Sequence, residues 1–150
     1  MKVYGYCRIS TSKQSMERQI RNIKLAYPDA VIVKETYTGT KIQGRKEFEK
    51  LLKIVSTGDT LVFDSVSRMS RTAQEGYEMY QKLYNQGVSL VFLKEPHINT
   101  STYQQAMENQ LSVNVKTGDQ ASEELLSGIF RALNRYMLNL AKRQIQLAFE

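Results

Sequence analysis

The fold is decided by the segment that runs Lys2-Val3-Tyr4-Gly5-Tyr6-Cys7-Arg8-Ile9-Ser10-Thr11-Ser12-Lys13-Gln14. Residues 2–9 are mostly β-branched and aromatic, which predicts a strand. Thr11 to Gln14 follows with a capping-box pattern, which predicts the start of a helix. A strand therefore passes directly into a helix at the beginning of the chain.

The same alternation continues along the sequence. Turn signals at Pro28, Gly58 and Gly87 separate short apolar runs from helical patterns. Further strands are predicted over residues 30–33, 60–64 and 88–93, and helices after Arg45, after residue 72, over 103–115 and from Gln120 to the end. Residues 65–71 and 96–100 are predicted to be loops. Strands that alternate with helices predict an α/β fold with a mostly parallel, four- to five-stranded sheet, helices on both faces, and ligands at the carboxyl ends of the strands.

The last helix is predicted to be long, because no glycine or proline follows Gly128. Its apolar seam can be explained in two ways: the helix packs on its own sheet, or its distal half pairs with another subunit. We divide the chain into a compact unit over residues 1–118 and a long oligomerisation or linker helix over 119–150. The missing stop signal suggests that the sequence is cut from a longer protein. The seam consists of Leu126, Ile129, Leu133, Met137, Leu140 and Leu147.

Composition narrows the classes of function. The chain has 150 residues, of which 41% are hydrophobic and 24% charged. It has no apolar run near the ~20 residues that span a bilayer and no signal peptide, so we expect a cytoplasmic protein without a membrane partner. Cys7 and His97 are the only residues of their types, so we expect no disulfide, no metal site and no cofactor. The net charge of +6 favours a polyanionic partner.

Arginines follow three predicted strands near one serine. Arg8 and Ser10 lie two apart in an extended chain and therefore share a face. Arg68 and Arg71 follow the third strand, and Arg45 opens the helix after the second. Guanidinium groups that converge on a serine would need an anion to compensate them, and a phosphodiester provides one. The alternative interpretation is that these arginines are surface charges and the serine caps a helix.

These residues resemble a known family. The segment from Tyr6 to Gln14 resembles the opening Y-x-R-V-S-T-x-x-Q of the serine site-specific recombinases, the resolvase and invertase family. Gly39 with Gly44-Arg45-Lys46-Glu47-Phe48 resembles its glycine-containing loop and R-x-x-[FL] helix start. Gly58-Asp59 and Ser67-Arg68-Met69-Ser70-Arg71 resemble its G-D and D-R-L-[SG]-R elements. The motifs agree in order and spacing over about the first hundred residues.

The resemblance implies a catalytic domain in which Ser10 attacks a DNA phosphodiester. A covalent 5′-phosphoserine forms, strands are exchanged, and religation needs no ATP or metal. The implied partners are double-stranded DNA and copies of the same chain, a homodimer that assembles to a tetramer. The implied catalytic residues are Ser10, Arg8, Arg45, Arg68 and Arg71, and the implied supporting residues are Tyr6, Gln14, Gln19, Asp59 and Ser67.

One position departs from the family pattern. Residue 67 is serine where much of the family has aspartate, and Asp64 is a candidate to replace that carboxylate. The departure leaves one other function open, a catalytically weak DNA-binding or regulatory relative. A third hypothesis is a nuclease-like phosphodiesterase that hydrolyses without rejoining. No DNA-binding module is recognised after the long helix, so site recognition is expected to come from sequence absent here or from another protein.

Overall fold

A four-stranded parallel sheet forms the centre of the molecule. The computed structural model describes residues 1–9, 13–36, 45–111 and 120–150. Within these ranges the strand order is β2-β1-β3-β4, and all three pairings are parallel. The strands are β1 (Val3–Ile9), β2 (Val31–Thr36), β3 (Thr60–Phe63) and β4 (Ser89–Phe92). The predicted α/β fold with a parallel sheet is confirmed.

Helices follow each strand. Their bounds are α1 (Lys13–Ala26), α2 (Lys46–Ile54), α3 (Val66–Met69), α4 (Ala73–Asn85), α5 (Thr100–Leu111) and α6 (Gln120–Ala148), and a 3₁₀ turn covers Pro96–Ile98. Thr11 and Ser12 of the predicted capping box lie outside the described residues. The predicted 103–115 helix can be followed as far as residue 111, and its remaining residues also lie outside the described ranges.

The core has one layer on each side of the sheet, because side chains alternate along β1. Cys7 and Ile9 pack with Met16 and Ile23 of α1 on one face. Tyr4 and Tyr6 belong to the larger cluster on the other face, which includes buried residues of α2, α4 and α6. Helices therefore cover both faces of the sheet, as is usual for a parallel sheet whose strands alternate with helices along the chain.

Two local predictions are wrong. Strand β2 continues to Thr36, because Lys34, Glu35 and Thr36 pair with the last residues of β1; their polarity fits the edge position of β2. The segment predicted as a polar loop contains the helical turn α3. That turn buries Val66 and Met69, which lie three residues apart and so on the same side.

The distal half of α6 packs on the body of the chain. Met137, Leu138, Ala141 and Ile145 are buried in the larger core cluster. Gly76 of α4 faces this helix and the end of α3, and a Cβ there would lie 2.6 Å from Oγ of Ser70 and in ordinary contact with Cγ2 of Ile145. The distal half of α6 thus packs within its own chain, against α4 and its neighbours, and the predicted pairing with another subunit stays a prediction. In the described ranges no helix, α6 included, is long and apolar enough to cross a membrane.

Gly87 ends α4, as its position predicts. Its φ is +80°, and a Cβ would lie 2.7 Å from Cγ2 of Thr57. We expect Gly87→Ala to lower the free energy of unfolding by about 1–2 kcal/mol, through the left-handed backbone and the close contact. The matched control is Gly128→Ala in α6, where nothing lies within 4 Å of the added Cβ; it should raise stability by up to ~1 kcal/mol. Urea unfolding measures both, and equal midpoints for the two variants would contradict the expectation.

Candidate functional site

Arg8 and Arg68 link the end of β1 to the turn α3 at the carboxyl edge of the sheet. Nη2 of Arg8 donates to the carbonyl oxygen of Ser67 and, over 3.5 Å, to that of Ser70. In return, Nη1 of Arg68 donates to the carbonyl oxygen of Arg8 over 3.1 Å. The end of β1 and the turn α3 are therefore joined by two guanidinium groups.

Gln19 fixes the backbone of the same strand end. Its Oε1 accepts from the Arg8 amide and its Nε2 donates to the Arg8 carbonyl, both over 3.1 Å. Its side chain is buried at 1% exposure. Ser15, one turn earlier in α1, accepts from Nη2 of Arg68 over 3.2 Å. The start of α1 thus holds both β1 and Arg68 in place.

Arg45 lies at the same edge through a different set of contacts. Its guanidinium carbon stands 4.1 Å from the ring centre of Phe48 and 5.5 Å from that of Tyr6. Nη1 lies 3.4 Å from Oε1 of Glu75, and the side chain is 14% exposed. Its Nε and Nη2 are buried and make no hydrogen bond with the residues that the structure describes. Arg45 is therefore placed by aromatic rings and one partly exposed carboxylate.

Glu35 anchors this second group, and it is a residue that sequence reasoning missed. It is buried, and Oε1 accepts from the Tyr6 hydroxyl and from the Phe48 amide, each over 3.2 Å. Oε2 accepts from the Glu47 amide over 3.3 Å. Since Arg45 makes no side-chain cap bond at the start of α2, Glu35 caps that helix from the neighbouring strand. The position of Glu35 at the carboxyl end of β2 could have identified it as a site residue, because ligands gather at the carboxyl ends of parallel strands.

The remaining predicted residues differ in what can be said of them. Ser10 lies outside the described residues, directly after β1. Gln14 lies in α1, but its side chain is outside the described set. Arg71 and Ser67 are exposed at the two ends of the α3 turn, and Oγ of Ser67 is 2.8 Å from Oγ of Ser65.

Asp64 has partners other than the arginines. Its Oδ1 accepts from Nδ2 of Asn22 over 3.0 Å, and its Oδ2 pairs with Nζ of Lys94 over 3.2 Å. Each carboxylate oxygen therefore already has a partner from α1 or from the segment after β4.

Asp59 does not join the cluster. It accepts from the Lys2 amide over 3.0 Å, and from the Ser56 amide and hydroxyl, at the amino-terminal edge of the sheet. Six residues of extended chain separate Lys2 from Arg8, which is about 20 Å. The G-D motif thus gives a carboxylate that joins the start of β1 to the turn before β3. The expectation that Asp59 directly supports the site is not met by this geometry.

The arrangement can bind an oxyanion with several donors. Arg8, Arg45 and Arg68 present planar groups of N–H donors that match phosphate oxygens. Nη2 of Arg8 and the guanidinium of Arg68 donate to carbonyl and hydroxyl oxygens, which fix their directions at this edge of the sheet. Guanidinium groups fixed in this way can bind an anion such as a phosphate.

Comparisons with known proteins agree with this geometry. A family model described as the resolvase N-terminal domain matches residues 3–132. The transposon Tn501 resolvase of Pseudomonas aeruginosa is 30% identical over 142 residues, 93% of this chain and 70% of that protein. A resolvase of Clostridium perfringens is 30% identical over 98 residues, 65% of this chain and 51% of that protein. The transposon Tn1721 resolvase of Escherichia coli is 34% identical over 93 residues, and the match covers 61% of this chain and 46% of that relative. The chain thus spans about half the length of several curated relatives.

Two solved structures share the fold. A resolvase family site-specific recombinase from Streptococcus pneumoniae aligns over 100% of this chain and 99% of its own, with a TM-score of 0.52 and 24% identity. The N-terminal catalytic domain of TP901-1 integrase aligns over 93% of this chain and 98% of its own, with a TM-score of 0.52 and 18% identity.

The role of Asp59 can be tested by acid unfolding. Hydrogen bonds from the Lys2 and Ser56 amides lower the pKa of Asp59 below its usual value. A lowered folded-state pKa gives stability that is fully present above the unfolded value of about 3.9 and is lost as pH falls through the folded value. We expect Asp59→Asn to be less stable than the parent at pH 7 and to lose less stability below about pH 4. Urea unfolding from pH 7 to pH 2 measures the difference, and two parallel curves would refute the assignment.

Proposed function

Because the chain belongs to the resolvase family, we propose that it is the catalytic domain of a serine-type site-specific DNA recombinase with Ser10 as nucleophile. One observation carries the proposal: Arg8 at the end of β1 and Arg68 in α3 each donate a hydrogen bond to the backbone of the other's segment. Ser10 directly follows the last residue of β1.

The proposed reaction is a transesterification at phosphorus. The Ser10 hydroxyl loses its proton as its Oγ bonds to the phosphorus, and the bond from phosphorus to the 3′ oxygen of the DNA breaks. That oxygen takes up a proton and becomes a free 3′-hydroxyl, while the 5′ phosphate stays on Ser10. Because one ester replaces another, rejoining to the 3′-hydroxyl of a second strand needs no ATP or other cofactor.

The arginines act on charge and position. Charge grows on the non-bridging oxygens of the transferring phosphoryl group, and fixed guanidinium donors lower the barrier by stabilising that charge. Arg8 and Arg68 flank the end of the strand that leads to Ser10, and their hydrogen bonds to the backbone set the direction of their remaining N–H groups. Arg45 and Arg71 complete the proposed set from the start of α2 and the end of the α3 turn.

The proposed partners follow from the reaction. Exchange between two duplexes requires each of four strands to be cut, and one Ser10 cuts one strand. We therefore assign double-stranded DNA as substrate and a homodimer that assembles to a tetramer as the active form, in the cytoplasm.

The nucleophile is tested by trapping. The purified protein is mixed with labelled duplex fragments that cover the DNA around its own gene, and denatured with detergent after short intervals. We expect a covalent complex whose proteolysed peptide contains Ser10 with a 5′-linked nucleotide, seen by mass spectrometry. Ser10→Ala should abolish the complex, because the attacking oxygen is gone.

The matched control is Ser12→Ala, two residues along the same segment, which should still form the complex. A complex that survives Ser10→Ala would overturn the proposed mechanism. Cut DNA without any covalent link or rejoined product would favour a hydrolytic phosphodiesterase. DNA binding with neither cutting nor linkage would favour a regulatory relative.

Arginine removal tests charge stabilisation. Arg68→Ala should slow covalent-complex formation by roughly 10²–10³-fold, because a donor to the transition state is lost. It should lower the free energy of unfolding by only about 1–2 kcal/mol, since its hydrogen bonds go to partly exposed acceptors. Arg21→Ala, an exposed arginine on α1, is the control for total charge and should leave the rate near that of the parent. A rate loss no larger than that of Arg21→Ala would show that Arg68 has no part in the chemistry.

A further inference from the structure

The turn α3 fixes both members of the arginine pair. Two of its carbonyl groups, at Ser67 and Ser70, accept from Arg8, and its own Arg68 reaches back to the Arg8 carbonyl. A shift of α3 therefore moves two guanidinium groups at once. A helical turn of four residues is too short to be stable alone, so something else must hold it.

The apolar side of α3 supplies part of that support. Val66 and Met69 are buried in the larger core cluster. Apolar contacts are not directional, however, and they leave the rotation of the turn weakly determined. The usual polar anchor is missing, because the side chain of the N-cap residue Ser65 makes no cap bond and instead lies 2.8 Å from Oγ of Ser67.

Glu95 supplies the missing anchor from the next strand. Its Oε2 accepts from the Val66 amide over 3.1 Å, and Val66 is the first residue of α3. The position of Glu95 is itself set by the sheet: beyond β4, the Leu93 and Lys94 amides donate to the carbonyls of Phe63 and Asp64, each over 3.0 Å. Because β3 and β4 are parallel neighbours, the residue that leaves β4 arrives beside the residue that leaves β3.

The surroundings of Glu95 act on its carboxyl group in both directions. A negative group at the first amide of a helical turn is stabilised by the turn's exposed N–H groups. Burial and the nearby Asp64 raise the pKa of Glu95, whereas the Val66 amide, His97 and Lys94 lower it, and the net shift is upward. Among the described residues, the half-buried carboxyl group of Glu95 accepts from one backbone donor, the Val66 amide. This contact is specific, unlike that of an acid on a solvated face.

We propose that Glu95 is a positioning residue of the recombinase site, which holds α3 through the Val66 amide and thereby sets the geometry of Arg8 and Arg68. The inference rests on the proposed function for its catalytic consequence. Its structural content, the link from Glu95 to α3, stands independently of that function.

The test compares four variants by two measurements. Amide hydrogen exchange at Val66 and Ser70 reports whether α3 is held, and the rate of covalent-complex formation reports whether the arginines are placed. Glu95→Ala removes the acceptor and should raise exchange at both amides and slow complex formation on the order of 10-fold, the effect of one lost hydrogen bond. Glu95→Asp, one methylene shorter, should also be slow. Glu95→Gln keeps an acceptor oxygen at the same reach and should recover most of the parent rate.

The matched control is Asn99→Ala on the same connection. Oδ1 of Asn99 accepts from the Phe92 amide over 2.7 Å, so this variant also removes a side-chain acceptor from a backbone N–H. It should raise exchange at Phe92, lower stability comparably, and leave the rate of complex formation per folded molecule unchanged.

The outcomes separate the inference from the proposed function. If Glu95→Ala and Glu95→Asp both form the complex at the parent rate, Glu95 does not position the site, although Ser10 chemistry stands. If Glu95→Ala does not fold, the contrast between Glu95→Asp and Glu95→Gln decides. If the parent forms no complex at all, the proposed function fails, and exchange at Val66 and Ser70 still determines whether Glu95 holds α3.

Discussion

The reciprocal tie between the end of β1 and the turn α3 is the contact on which the candidate site depends. Two guanidinium groups take part in it. Among the described residues their hydrogen bonds go to the carbonyls of Ser67, Ser70 and Arg8, and to the hydroxyl of Ser15. Neutral oxygens orient an arginine without cancelling its charge. The arginines are thus held in fixed directions at this edge of the sheet, which suits the binding of a phosphodiester.

The carboxylates near this edge are occupied elsewhere. Glu35 accepts from two amides at the start of α2, Glu95 from one at the start of α3, and Asp64 from Asn22 and Lys94. Glu75 is the exception, since it lies 3.4 Å from Arg45, but it is 46% exposed and such a pair is weak. Glu35 and Glu95 stabilise the starts of the helices that carry Arg45 and Arg68. The carboxylates thus cap helices, whereas the arginines are held by backbone carbonyls. Because the two kinds of group have different partners, they can share one edge of the sheet.

The architecture and the location of part of the candidate site could be predicted from the sequence. Periodicity located the four strands, the position of Arg8 after the first apolar run placed it at the carboxyl end of β1, and Gly87 marked the end of α4. Sequence reasoning failed where tertiary contacts decide. The turn α3 has no pattern of its own and exists because Val66, Met69 and a glutamate from another strand support it. Asp59 matched a motif, and yet it belongs to the opposite edge of the sheet. Glu35 lies at the carboxyl end of β2 and Glu95 just beyond that of β4, and the rule that ligands gather at carboxyl ends could have identified them.

The serine at position 67 bears on proton transfer more than on arginine placement. Arg8 is held by the carbonyl of residue 67, and a carbonyl is present whatever side chain that residue carries. Oγ of Ser67 lies 2.8 Å from Oγ of Ser65, and a serine hydroxyl carries no charge with which to accept as a carboxylate would. Replacing an aspartate by serine at this position therefore keeps the anchor of Arg8 and removes one negative charge from its surroundings. The edge is then more cationic than one with aspartate at this position, which favours stabilisation of phosphoryl oxygens. If Ser10 is the nucleophile, as proposed, its proton leaves by another route.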